Sequence, residues 1–160
     1  MSLQHELGLP NPIGHFGHEA VLSVFLTGML LAKEGDRILR PFGLTDSQFN
    51  VLMLLSYQSR NGEINQTNLG QMLLVNRSNV TGLVDRMEQA GWVERTADPT
   101  DRRVNLVRLT AAGREVLERA SKAYFARVEE IMGALPTEAH ARLCRMLERV
   151  RERLRGGRTA

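Results

Sequence analysis

The sequence predicts a mostly α-helical chain carrying one small β-hairpin, and three observations point there. Apolar residues recur at three- and four-residue steps along most of the 160 residues. Side chains able to cap helices stand ahead of these runs at Thr45, Asn65, Asn76 and Thr110. Only WVERT and VNLVRLT read as strands, and they flank the turn ADPTDRR.

Residues 1–16, with Gly8, Pro10, Pro12 and Gly14, read as an irregular arm. A first helix over about 17–40 follows, closed by Pro41 and Gly43. Its segment AVLSVFLTGMLLA is apolar on most of its circumference, so it needs cover on several sides, more than one short chain supplies. Ser23, Thr27 and Gly28 interrupt that segment, which falls short of the roughly 20 apolar residues that span a bilayer. No membrane partner is expected, and no basic segment precedes an apolar core as in a secretory signal. The single cysteine, Cys144, allows no intrachain disulfide and fits a reducing cytoplasm.

Thr45 and Gln48 form a capping-box pattern ahead of FNVLMLL, which predicts a second helix over about 46–59, then a polar loop, SRNGE. Asn65 caps a short helix over 66–73 with Leu69, Met72 and Leu73 inward. After a break at LLV, Asn76 caps a longer helix that ends before Gly91. In it Val80, Leu83, Val84 and Met87 form an inward stripe and leave Arg77, Ser78, Asn79 and Thr81 near the exposed beginning. Two helices joined by a tight turn, then a hairpin, make a winged helix-turn-helix over 45–110. Pro99 and the six-residue loop make the wing wider than a two-residue turn.

Thr110 caps a helix over about 111–134, with Leu117, Ala120, Tyr124, Val128, Ile131 and Leu135 in register. Pro136 allows a restart, and the last helix, about 137–155, carries a seam of Ala139, Leu143, Leu147, Val150 and Leu154 that seeks another helix. That helix can come from its own chain or a partner; with the broadly apolar first helix, residues 17–44 and 111–155 are taken as N- and C-terminal dimerisation helices, and 156–160 as a disordered tail. The net charge of +3 is uneven: residues 1–59 hold three basic and five acidic side chains, residues 111–160 eleven and seven. It does not by itself name a partner.

LTDSQFNVLMLL, NRSNVTGLVDRMEQAGWVER and DPTDRRVNLVRLTAAGR, in this order and spacing, resemble the signature of the MarR (multiple antibiotic resistance regulator) family. The resemblance spans roughly residues 17–155 and is strongest over 44–115. It implies a homodimeric cytoplasmic transcription factor, a repressor whose grip on a pseudo-palindromic double-stranded operator is modulated by a small aromatic or phenolic effector. On matching positions, Asn76, Arg77, Ser78, Asn79, Thr81 and Arg86 would belong to the recognition helix. In the wing, Arg103 would enter the minor groove, Asp101 would steady it, and Arg102 would contact phosphate. A narrow A·T-rich minor groove concentrates negative potential and attracts a guanidinium. Gly82 departs from the long polar residue many members carry there, so one base contact open to them is missing here.

Blander readings stand beside these. Arg102 and Arg103 also fit a solvated turn paired with Asp98 and Asp101, and Asn76, Ser78 and Asn79 also fit simple caps. His18, Phe25, Met29, Met53 and Tyr57 are candidates for an effector pocket between the dimer scaffold and the winged helix, or for core. His15, His18 and Glu19 on adjacent turns could ligate a metal, but no cysteine or further histidine lies nearby in sequence, so neither metal nor cofactor is expected. Cys144 on the last helix reads as packing before redox sensing. Asp98 and Asp101 lack surroundings that would split them into acid and base. With no Gly-rich phosphate loop or nucleophile elbow, an enzyme is the least supported class, below a winged-helix module for protein contacts.

Overall fold

The computed structural model describes residues 2–59, 62–73, 80–101 and 103–156. They form helices α1 (Leu3–Glu6), α2 (Phe16–Leu39), α3 (Asp46–Tyr57), α4 (Gln66–Met72), α5 (Val80–Gln89), α6 (Ala111–Met132) and α7 (Thr137–Gly156), with strands β1 (Glu63–Asn65), β2 (Val93–Ala97) and β3 (Asn105–Leu109). A 3₁₀ turn, Arg40–Phe42, closes α2. The chain divides into two units, one through Ala120 and one from Ser121.

In the first unit the caps set the boundaries. Thr45 Oγ1 accepts from the Gln48 amide at 3.3 Å while Gln48 Oε1 accepts from the Thr45 amide at 2.9 Å, a complete capping box. Asn65 Oδ1 accepts from the Thr67 amide at 2.8 Å and starts α4. Gly43, at φ +72°, turns the chain out of the 3₁₀ segment in a conformation that disfavours side chains. Phe49, Leu52 and Leu55 of α3, Leu69 of α4, Val84 and Met87 of α5, and Val93 and Val107 of the sheet form the fully enclosed core.

The sheet is antiparallel in the order β1-β3-β2. Its first strand was hidden in the sequence, because Glu63 falls in the SRNGE segment read as loop. Three residues carry no usable alternation, and Asn65 already signals a helix cap. What makes β1 a strand is β3: Ile64 pairs with Val107 on the core side, and Glu63 pairs with Arg108. Arg108 sits between Glu63 (3.7 Å) and Glu94 (2.9 Å) on the outer face.

The wing leads straight into α6 through one threonine. Thr110 Oγ1 donates to the Gly91 carbonyl at 2.6 Å and accepts from the Gly113 amide at 3.0 Å, so it caps α6 and fastens it to the turn after α5. Gly113 is required by that closeness, since a β-carbon there would overlap the Trp92 carbonyl oxygen. Gly to Ala inside a helix ordinarily stabilises. Here the sign reverses: Gly113→Ala is expected to lower stability by about 1–3 kcal/mol, the cost of overpacking, as a shift in the urea midpoint.

Two expectations are corrected here. Met72 does not point inward like Leu69 and Leu73; it is 45% exposed, because α4 ends there and its last turn opens onto a surface recess. Residues 3–6 of the arm form a helical turn with Leu3 buried.

Helix α2 exceeds its apolar segment and, by length and composition alone, Phe16–Phe42 suffices to cross a membrane, which revises the expectation that it is too short. Val21, Val24, Phe25, Met29 and Leu30 stand more than half exposed along it. Gly28 interrupts them with open space beside it.

In the second unit, Tyr124 and Phe125 meet edge to face at 5.6 Å between ring centres. A ring nitrogen of His140 lies 2.9 Å from the Met132 carbonyl at the end of α6, anchoring α7's first turn to the chain reversal at Pro136. Along α7, Leu143, Val150 and Leu154 of the apolar seam read in the sequence are exposed, as is Met146 beside it, while Ala139 and Leu147 are half-buried, so most of the seam is uncovered within its own unit.

Candidate functional site

The strands and α5 bring the chemistry together on one side of the first unit. Helix α5 buries Val80, Leu83, Val84 and Met87 and exposes Thr81, Asp85, Arg86 and Glu88. Asn76, Arg77, Ser78 and Asn79 lie outside the described residues, as does Arg102 of the wing. Thr81 is exposed at the start of α5, where its hydroxyl accepts from Gln66 Nε2 at 3.1 Å. Arg86 is exposed on another side of the same helix, one residue past Asp85.

The wing tip is a compact set of local hydrogen bonds. Asp98 Oδ1 accepts from the Thr100 amide (2.7 Å) and hydroxyl (2.6 Å), an Asx turn that fixes the chain after Pro99. Asp101 then takes three bonds from Arg103: the backbone amide at 3.0 Å, Nε at 3.1 Å and Nη2 at 3.3 Å. The Arg103 side chain is nonetheless 91% exposed, so the aspartate aims a guanidinium that remains in solvent. Hydrogen bonds hold both carboxyls below their usual range: Arg103's side chain then its amide for Asp101, Thr100's hydroxyl then its amide for Asp98. Two carboxylates shifted the same way cannot divide the roles of acid and base.

Between the wing and the two helices is an open polar recess of about 320 Å³, whose lining includes Gln66, Thr67, Gln71, Thr81, Arg103 and Asn105. Reading the sequence missed Gln66, Thr67, Gln71 and Asn105. The signal was present in the outer side of α4, where threonine, asparagine and glutamine cluster opposite Leu69.

Arg95 was also missed. Paired with buried Val107 across the ladder, it occupies a core-facing position of β2, and its side chain is only 18% exposed. Counting by twos from buried Val93 would have found a charge on the inner side of a strand, where charges need partners.

The predicted pocket residues fall in two places. Met53 and Tyr57 on α3 line an apolar recess of about 270 Å³ with Met72 and Leu73, and Asn50 and Gln58 at its edge. His18, Phe25 and Met29 are exposed on α2 and do not line that recess. His15 is an N-cap, its Nδ1 accepting from the His18 amide at 3.1 Å. That bond uses the lone pair a metal would need. Among the described residues no three His, Cys, Asp or Glu side chains gather for a metal. Cys144 is exposed on α7 rather than packed.

The MarR family profile matches residues 44–104, the part containing α3, the helix-turn-helix and most of the wing. The transcriptional activatory protein BadR of Rhodopseudomonas palustris is 40% identical over 89 residues, 56% of this chain and 51%, about half, of BadR's length. The MarR family regulator Sco5413 of Streptomyces coelicolor is 30% identical, with a TM-score of 0.75 over 88% of this chain and 96% of that one. Sco3205, a MarR family regulator of the same organism solved in complex with DNA, is 28% identical, with a TM-score of 0.78 over 86% of this chain and 91% of the other. These relatives are transcriptional regulators, not an enzyme class.

Proposed function

The chain belongs to the MarR family, and from that premise we propose that it is a homodimeric, sequence-specific DNA-binding regulator that works in the cytoplasm as a ligand-released repressor. The observation that carries this is the wing tip: a cation held in aim by Asp101 yet exposed to solvent, beside a polar recess at the start of α5. Helix α5 enters the major groove by its N-terminal end, where Arg77, Ser78 and Asn79 precede Thr81. Arg103 enters the adjacent minor groove, and Arg102 contacts phosphate. The similarity to a relative crystallised on DNA supports this arrangement.

The exposed apolar faces of α2 and α7 are the surfaces a second protomer covers, which accounts for α2 without a membrane. Two protomers related by a two-fold axis read two inverted half-sites about one helical turn apart. Selection of bound fragments from the host genome tests this. Recovery of one inverted-repeat motif upstream of a few genes is expected. Recovery of random fragments, or binding that vanishes at moderate salt for every sequence, contradicts it.

The effector reading rests on the apolar recess at Met53 and Tyr57. Its methionines accommodate an aromatic ring, and the tyrosine hydroxyl and the Asn50 and Gln58 amides can meet a phenol or carboxylate. Met72 and Leu73 at the end of α4 line it, so an occupant bears on the end of that helix. A ligand regulates only if it binds the two states unequally. Aromatic carboxylates or phenols are therefore expected to raise thermal stability and weaken operator binding, with Tyr57→Ala and Met53→Ala blunting the response. Calorimetry that finds binding without any change in operator affinity removes this role.

A further inference from the structure

The hairpin and α5 can read DNA together only if their relative angle is fixed, and among the described residues the polar bonds joining them converge on Arg95. Its Nη1 donates to Glu88 at 2.6 Å and its Nη2 to Asp85 at 2.6 Å. Nη2 also reaches the Thr81 carbonyl at 3.4 Å, and Nε donates to Gln66 Oε1 at 3.0 Å. The Arg95 amide adds a bond to Glu88 Oε1 at 3.0 Å. Thr81, Asp85 and Glu88 are four and three residues apart and share one side of α5, so one planar fork grips that helix along two turns. Gln66 extends the set, since its amide nitrogen donates to the Thr81 hydroxyl while its oxygen accepts from Arg95. Strand β2, α4 and α5 thus meet at one guanidinium.

We propose that Arg95 is the positioning residue that locks the recognition helix to the wing, setting the angle at which α5 and Arg103 address their two grooves. The role rests on reading α5 and the wing as one DNA surface. Arg95 itself does not touch DNA: two carboxylates already neutralise it, and its side chain lies on the core-facing side of the sheet. A lysine cannot replace it, because a single ammonium lacks the flat fork that meets four acceptors at fixed angles.

The test uses the full-length dimer and the duplex recovered by genomic selection, with a scrambled duplex of equal length, titrated by fluorescence anisotropy at several salt concentrations. Arg95→Met keeps the aliphatic stem and removes the fork. Its preference for the selected duplex over the scrambled one is expected to fall by on the order of tenfold, as for one mismatched base pair. Its scrambled-duplex affinity and salt slope should stay at parental values, because no phosphate contact is lost. Arg95→Lys should recover only part of the preference. Glu88→Gln, which keeps its volume and removes one charge, should shift the preference the same way and serves if Arg95→Met does not fold by circular dichroism. An unchanged preference in the folded variants overturns the proposal. So does a salt slope lower by about one unit in Arg95→Met, which would make Arg95 a phosphate contact. Failure of the parent protein to bind either duplex overturns the DNA reading itself, and this role with it.

Discussion

A chain ended at Leu135, lacking α7, is expected to be monomeric and to bind a full operator about 10²–10⁴-fold more weakly than the parent, because the second half-site is no longer held at high effective concentration. The seam on α7 carries this expectation. Leu143 is 38% exposed, Val150 51% and Leu154 72%, and Met146 beside them 57%, large apolar groups that water penalises until a partner covers them. A finer version replaces Val150 and Leu154 with glutamate. Both side chains are exposed within the protomer, so its fold should persist while the interface acquires like charges it cannot pair. Light scattering at micromolar concentration separates monomer from dimer, and anisotropy gives the affinity. A monomeric variant that still grips the full site as tightly as the parent contradicts the dimer reading.

Arg103→Ala is expected to lose about 1–3 kcal/mol of operator affinity and leave fold and dimer intact, since the side chain is 91% exposed and bonded to Asp101. Arg102→Ala should instead weaken all sequences alike and lower the salt slope by about one unit. Asp101→Ala should resemble a milder Arg103→Ala, because the reader remains but is no longer aimed. The pH dependence follows from the sign of the carboxyl's shift. Hydrogen bonds from Arg103 hold Asp101 below the usual carboxylate range, so the brace is complete above that range and is lost only as pH falls through the depressed value. Any change in operator affinity across neutral pH must therefore come from other groups.

Most of the helical framework was legible in the sequence because caps and apolar stripes are local signals. Thr45 with Gln48, Asn65 and Thr110 all cap as their side chains suggested, and the stripe from Val80 to Met87 is buried as its spacing required. What was not legible depends on contacts distant in sequence. Strand β1 exists because Ile64 finds Val107, more than forty residues on, and Gly113 is needed because Trp92 lies across from it. Arg95 looked like a solvated strand residue until the ladder placed it on the inner face beside Asp85, Glu88 and Gln66. The wing was the reverse case: Asp101 and Arg103 are two residues apart, and the pairing that the family resemblance implied is a local one. The five pocket candidates divided because periodicity says which residues face inward but not which neighbour they meet; Met53 and Tyr57 met Met72 instead of α2.

Hydroxyl-radical footprinting of the genomically selected duplex tests whether Arg103 enters the minor groove, because the radical reports access to the minor-groove edge of each sugar. Two symmetric minor-groove protections are expected outside two half-sites about one helical turn apart, both lost in Arg103→Ala while the protections over the half-sites persist. A uniform footprint, or one that Arg103→Ala leaves unchanged, would contradict it.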